Sequence, residues 1–274
     1  MTQSLKTWLE QLRRLRTTRG RQQAGQYSME GYRLIERALR AGTSLAVVLV
    51  DEALLHDPTH RWQVLESELQ KYDVPVFSVS SDGMEEFVGK RTFGSMIAIA
   101  DLPTPPPLSE FLKQTTEPTG ILVLDRVMDH GNMGAMMRTA LASGIRALIS
   151  LKGGDPFHPK AVRTSMGALF VLPIYCVEDE QELLTLLQST GWHSVGAVVE
   201  GGVLAHETSF AEKTAMFMGS EAHGLSPWLQ KHLDFRCTIP MVSIVDSFSV
   251  NAATAILLYE WNRQKVTKGG EVSG

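Results

Sequence analysis

Three short stretches of this chain gather the residue types that can hold a small ligand and answer developing charge. The first, residues 121–145 (ILVLDRVMDHGNMGAMMRTALASGI), runs from an apolar segment into a polar loop with Asp129, Asn132 and Gly134. It then enters a helical pattern that carries Arg138. A strand that leaves through a loop into a helix is where α/β proteins commonly place a site. The same pattern also describes an ordinary crossover with a surface arginine. The second stretch, FMGSEAHGLSP (217–227), sets Glu221 between Gly219 and Gly224. Those glycines permit close backbone approach or positive φ, which suits a loop wrapped around a ligand. Glu221 could equally be an acid that favours a helix N-terminus. The third, TIPMVSIVDSFSVNAATAILLYE (238–260), places Ser243, Asp246, Ser247 and Ser249 before a long apolar helix. The last two serines could also serve as helix caps.

Hydrophobic periodicity supplies the elements that position these stretches. In the first half we expect a basic helix at 3–19, a helix at 28–41 and a strand at 45–50. A helix at 61–71, a strand at 74–80, a short helix from Ser81 and a strand at 95–101 complete a small α/β domain. Pro103 and Pro105 to Pro107 then interrupt the chain and mark a linker at 102–108, since proline breaks helices and central strands. The second half repeats the alternation. Strands are expected at 121–125, 147–151, 171–176, 194–200, 215–219 and 235–239. Helices are expected at 108–115, 133–143, 158–166, 179–190, 226–232 and 250–265. Such alternation predicts parallel α/β architecture. The polar residues 267–274 read as a flexible tail.

Composition narrows the classes. With 43% hydrophobic and 20% charged residues the chain reads as a soluble globular protein. No run approaches the roughly 18 apolar residues of a membrane helix, and the first residues lack a signal-peptide core. A cytoplasmic location is expected. The two cysteines and the scattered histidines give no disulfide framework and no metal site. The net charge of −4 is unevenly spread, because residues 1–40 hold nine basic and three acidic side chains. That arm is a fair footprint for phosphate, or a plain solvated helix face. No G-x-G-x-x-G or Walker loop is present, which disfavours a conventional nucleotide-binding enzyme.

Taken together, the three stretches resemble the three motifs of the SpoU (TrmH) family of RNA ribose 2'-O-methyltransferases, within the SPOUT superfamily. Asn132, Gly134 and Arg138 match the first motif. Gly219, Glu221, Gly224 and Leu225 match the second, and Ile239, Pro240, Met241 and Ser247 the third. Residues 155–174 resemble the segment between motifs, and 19–101 an N-terminal RNA-binding domain. The chain departs from the family pattern twice. His130 stands where a proline is usual, and Ser249 and Asn251 exchange the Asn and Ser of the common Ser-Leu-Asn-Val-Ser order.

The resemblance implies a basic helix and α/β RNA-binding domain at 1–101, then a trefoil-knotted methyltransferase domain at 109–266 acting as a homodimer. It implies S-adenosylmethionine as methyl donor, held at Gly219, Ile239, Met241 and Phe248. The reacting group would lie among Arg138, Asn132, Glu221, Ser247 and Ser249. A guanidinium holds its protons too firmly for an ordinary general base, so Arg138 is expected to clamp a phosphate and steady alkoxide charge. Arg19, Arg21, Arg33 and Arg163 are the expected RNA contacts, with rRNA favoured over tRNA and no metal. The alternative is an inactive RNA-binding homologue acting in ribosome assembly, for which the Ser249/Asn251 exchange is the motive.

Overall fold

The computed structural model of the protein describes residues 4–89, 96–115 and 118–267. Two compact units emerge, Met1–Thr104 with Phe157–Phe170, and Pro105–Pro156 with Val171–Gly274. The expected tail lies outside the described residues, apart from Thr267 at the end of the last helix.

In the first unit the expected single helix at 3–19 is two helices, α1 (Leu5–Leu15) and α2 (Thr18–Ala24). The break follows from Thr17, whose extended backbone and hydroxyl cap α2 by accepting the Gly20 N–H at 3.0 Å. Gly25, in the left-handed region, closes the second helix. Trp8, Leu12 and Leu15 recur at helical spacing and are buried, so α1 covers one face of the sheet. The expected helix at 28–41 is also divided. Residues Gln26–Glu30 form β1 with Tyr27 and Met29 buried at strand spacing, and α3 (Tyr32–Arg40) starts only after Gly31, φ 89°. Register with a partner strand outweighed local helical periodicity here.

The remaining strands β2 (Leu45–Asp51), β3 (Val76–Val79) and β4 (Met96–Asp101) join β1 in the order β1-β4-β2-β3. This sheet is mixed, since β4 pairs antiparallel with both β1 and β2 while β2 and β3 run parallel. Helices α4 (Glu52–His56), α5 (His60–Lys71) and α6 (Ser81–Val88) link these strands. The unit also takes in α9 (Pro159–Thr164) and the short 3-10 turn Ala168–Phe170, although they follow the second unit's first strands in the chain. Phe157 packs on Tyr27 at a ring-centroid distance of 5.1 Å, and Arg163 pairs with Glu30.

The second unit carries the regular alternation. It opens on α7 (Leu108–Gln114), and its sheet is built from β5 (Thr119–Asp125), β6 (Ala147–Leu151), β7 (Ile174–Val177) and β8 (His193–Ala197). The short β9 (Val203–Leu204), β10 (Lys213–Gly219) and β11 (Phe235–Thr238) complete it. The order is β7-β6-β5-β10-β8-β11-β9 and every paired neighbour is parallel. β5 is buried along its whole length, as expected of a parallel strand covered on both faces. Its core joins Ile121, Val123, Ile149, Leu184, Leu187, Trp192, Phe217 and Leu229. Each such side chain contributes on the order of 1.5–3 kcal/mol when fully buried. Helices α8 (His130–Ala142), α10 (Glu180–Ser189), α11 (Pro227–His232) and α12 (Val250–Thr267) complete the unit, with α12 packed on α8 and β10. At Gly120 an added Cβ would lie 2.8 Å from the Trp261 ring, so α12 seats against the sheet only because that residue is glycine. Because all seven strands run the same way, the loops that leave their C-terminal ends share one edge, and the three sequence stretches are such loops.

Candidate functional site

α8 begins at His130, earlier than the sequence spacing suggests, so Asn132 and Gly134 are helical rather than loop residues. Asp129 is the cap, its carboxylate accepting the Asn132 N–H at 2.8 Å. Arg138 lies two turns along the same helix. It is exposed, and no hydrogen bond or ion pair engages it among the described residues.

β10 ends at Gly219 and turns tightly. Gly224 donates its N–H to the Ser220 carbonyl at 2.8 Å and adopts φ 63°. The returning backbone passes so close to Gly219 that a Cβ there would stand 2.0 Å from the Gly224 carbonyl carbon. Both glycines are therefore dictated by the turn itself. Beyond it, the Ser226 N–H donates at 2.7 Å to Asp125, the wholly buried last residue of β5. Ser226 also caps α11. Burial raises the Asp125 carboxyl above the ordinary carboxylate range, against the downward pull of the Ser226 N–H and of Arg126. Around it, Arg126 and Lys152 both reach Glu180.

The third stretch meets the other two through amide chemistry. The Asn251 amide donates at 2.7 Å to the Asn132 carbonyl oxygen, and the Asn132 amide donates at 2.7 Å to the Glu221 carboxylate. Asn251, absent from the expected site residues, thus joins α12 to the first two motifs. The only signal in the sequence was its place in the exchanged Ser-Asn pair. Ser249 instead caps the start of α12, its hydroxyl accepting the Ala252 N–H at 3.3 Å. Ser247 and Phe248 are exposed on the preceding loop.

The second and third stretches, with residues 197–200, line a cavity of about 480 Å³. Gly219, Ile239, Met241, Ser247 and Phe248 all line it, together with Leu225, Val250 and Leu257. Its acidic members are Glu200, Glu221 and Asp246, and neither lysine nor arginine is among its lining residues. A slot with apolar walls at Leu225, Ile239, Met241 and Leu257 and a rim of carboxylates and backbone groups suits a ligand with a flat apolar body and a positive charge. It is a poor match for a polyphosphate. Cys237 also lines the cavity, but burial pushes its thiol up, so a thiolate nucleophile is not offered there. No metal-binding group of three or more His, Cys, Asp or Glu occurs among the described residues, and no described helix is long and apolar enough to cross a membrane.

The expected RNA contacts in the first unit separate. Arg19 and Arg33 are exposed with no partner among the described residues, and Arg163 is half-exposed beside Glu30. Arg21 is the correction. It is 1% exposed, and its guanidinium donates to the Leu15 carbonyl at 2.6 Å and to the Thr18 hydroxyl, fastening α2 to the end of α1. It is not available to RNA. Arg14, not expected from sequence, lines a groove of about 490 Å³ together with Arg19.

Residues 120–259 match the model of the SpoU rRNA Methylase family, and residues 7–98 that of the MRM3-like substrate binding domain. The chain is 31% identical to the 23S rRNA (guanosine-2'-O-)-methyltransferase RlmB of Pseudomonas putida, over 76% of this chain and 81% of the relative. It is 26% identical to the 23S rRNA (guanosine(2553)-2'-O)-methyltransferase RlmP of Bacillus subtilis, over 94% of this chain and 95% of the relative. Its fold matches the SpoU methyltransferase AviRb from Streptomyces viridochromogenes, crystallised with the cofactor AdoMet, at a TM-score of 0.84. That pair is 23% identical and covers 98% of this chain and 100% of AviRb. With its second and third motif loops lining one cavity and its first tied to both through Asn132, the chain belongs to the SpoU rRNA methylase family.

Proposed function

We propose that this protein transfers a methyl group from S-adenosylmethionine to a ribose 2'-hydroxyl in structured RNA, with rRNA as the substrate. The observation that carries the reading is the cavity, carboxylate-rimmed and free of lysine and arginine, lined by the second and third motif loops and tied to the first through the Asn132–Glu221 bond. The residues present fit the donor. Ile239, Met241, Leu225 and Phe248 offer apolar faces to a purine, the backbone of 219–225 offers hydrogen bonds, and the acids suit a sulfonium and an ammonium. Bound there, S-adenosylmethionine supplies an electrophilic methyl group.

The chain's own residues supply the rest. The ribose hydroxyl would pass its proton to water as its oxygen takes the methyl group, with S-adenosylhomocysteine as the uncharged leaving group. Arg138, exposed and unengaged among the described residues, clamps the target phosphate and steadies the alkoxide. Asn132 and Glu221 hold the start of its helix to the cofactor turn. Ser247 lies at the cavity wall, and Ser249 contributes through the cap of α12. In the first unit, Arg14, Arg19, Arg33 and Arg163 form the phosphate-facing set. RlmB and RlmP, the relatives above, are named for 23S rRNA, which is why rRNA is preferred to tRNA.

The reading extends to a cytoplasmic homodimer with a knotted second domain. Ile244, Val242 and Tyr259 are 90%, 68% and 68% exposed on the third motif and the outer side of α12, an apolar surface that a second copy would cover.

The test pairs calorimetric titration of S-adenosylmethionine with mapping of 2'-O-methyl marks on rRNA. Saturable binding and new marks are expected from the parent. Arg138→Ala should keep its cofactor affinity while turnover falls about 100- to 1000-fold, the scale of losing one charge-stabilising donor. Full turnover in that variant would overturn the assignment of Arg138. A folded parent that binds RNA but not S-adenosylmethionine would favour the inactive homologue.

A further inference from the structure

We infer that Asn251 is a positioning residue that sets the cation preference of the cofactor cavity through Asn132 and Glu221. The argument is one of donors and acceptors. A carboxylate can only accept, so the Asn132 amide nitrogen must face Glu221, as it does at 2.7 Å. The Asn132 oxygen is then committed to the opposite side, where only a donor can satisfy it, and the Asn251 amide provides that donor at 2.7 Å. Asp129 fixes the same residue from below by accepting its backbone N–H. Each bond leaves the next with a single allowed orientation, and the last group in the series lines the cavity. Glu200 and Asp246 also line it, but neither makes a hydrogen bond or ion pair among the described residues, and Glu221 alone of the three is tied to the other motifs.

Without a donor at 251, the Asn132 carbonyl oxygen loses its partner and its amide is free to turn. Glu221 then loses a fixed donor and its placement on the wall. The exchange of Ser249 and Asn251 therefore redistributes roles: the serine caps α12 and the asparagine donates into the relay. This assignment rests on the reading that S-adenosylmethionine occupies the cavity, and it adds that the motif exchange is compatible with full activity.

The experiment compares S-adenosylmethionine, a sulfonium cation, with S-adenosylhomocysteine, its uncharged thioether product, by calorimetric titration of the full chain. In Asn251→Leu, which keeps the branched shape and removes the donor, the Kd for the cation should rise about tenfold while that for the thioether stays within about twofold. Asn251→Ala removes the same donor without bulk and should give the same split if the leucine cannot be accommodated. In a Glu221→Gln background either change should add nothing further, because the charge it positions is gone. Equal weakening of both ligands would mean a packing role and overturn the inference, as would no change in either. A parent that binds neither ligand overturns the functional reading as well. Loss of turnover in Arg138→Ala with no effect at Asn251 would overturn this inference alone.

Discussion

Arginine serves two different purposes in the two units. In the first, Arg13 forms a paired contact with Glu86, Arg16 and Arg37 donate to the Glu86 and Met166 carbonyls, and Arg21 is buried against Leu15. Much of the positive charge that marks residues 1–40 therefore holds the fold together. In the second unit, Arg138 stands exposed on α8 without a partner among the described residues, while neither lysine nor arginine lines the cavity beside the motif loops. The contrast teaches that charge density in the sequence is a weak guide to a ligand-facing surface. What counts is which charges the fold leaves unspent. The first unit commits Arg13, Arg16, Arg21 and Arg37 to its own carbonyls and acids, and the second leaves Arg138 uncommitted beside its motif loops.

The largest blow to the second unit short of Arg138 should come from Gly219→Ala. The added methyl would meet the Gly224 backbone at 2.0 Å, and overpacking of this kind costs about 1–3 kcal/mol. The Kd for S-adenosylmethionine should rise about 10- to 100-fold, read by calorimetry. An unchanged Kd would show that the turn is not the cofactor's seat.

The first unit can be separated into its two kinds of arginine. Arg21→Leu leaves the Leu15 carbonyl without its buried donor, a loss of about 1–3 kcal/mol that should lower Tm by several degrees. The salt dependence of RNA binding should be unaltered. The double variant Arg14→Gln/Arg19→Gln should do the reverse. Its Tm should hold, while the slope of log affinity against log salt shrinks by about 2, roughly one per lost phosphate contact. If both variants moved the same observable, the division between spent and free arginines would fail.

The smallest effect concerns Asp125. Its carboxyl is raised by burial above the ordinary value near 4, so the folded state favours the protonated form. The stabilisation tied to that proton is complete at pH below the ordinary carboxylate value and is lost as pH rises through the raised one. Asp125→Asn keeps an acceptor for the Ser226 N–H without the buried charge. Its Tm should exceed the parent's at pH 7, with the gap closing as pH falls toward 4. A gap that stayed constant with pH would mean that Arg126 and Lys152 fully offset the burial.

The all-parallel second sheet was legible in the chain because most of its strands are short apolar runs and nearly every one is followed by a helical pattern, and such units have few ways to pack. Gly219 and Gly224 were legible as a turn for the same local reason, and the motif spacings identified the family. The first unit was harder to read. Gln26–Glu30 carries helix-compatible residues and became a strand only because β4 offered a partner in register. The single helix expected over 3–19 broke at a threonine whose capping value depends on the turn around it.

What the sequence determined by itself is the set of local instructions: periodicity, proline breaks, glycine turns and the three motifs. What only the tertiary structure decided is which side chains meet. Asn132, Glu221 and Asn251 are separated by 89 and 119 positions along the chain, yet one amide bonds to both of the others. No periodicity encodes such a contact, because it is fixed by how parallel strands align their C-terminal ends. The same holds for Arg21. Its charge reads as a surface contact in the sequence, and its burial against the Leu15 carbonyl follows from the helix break that precedes it.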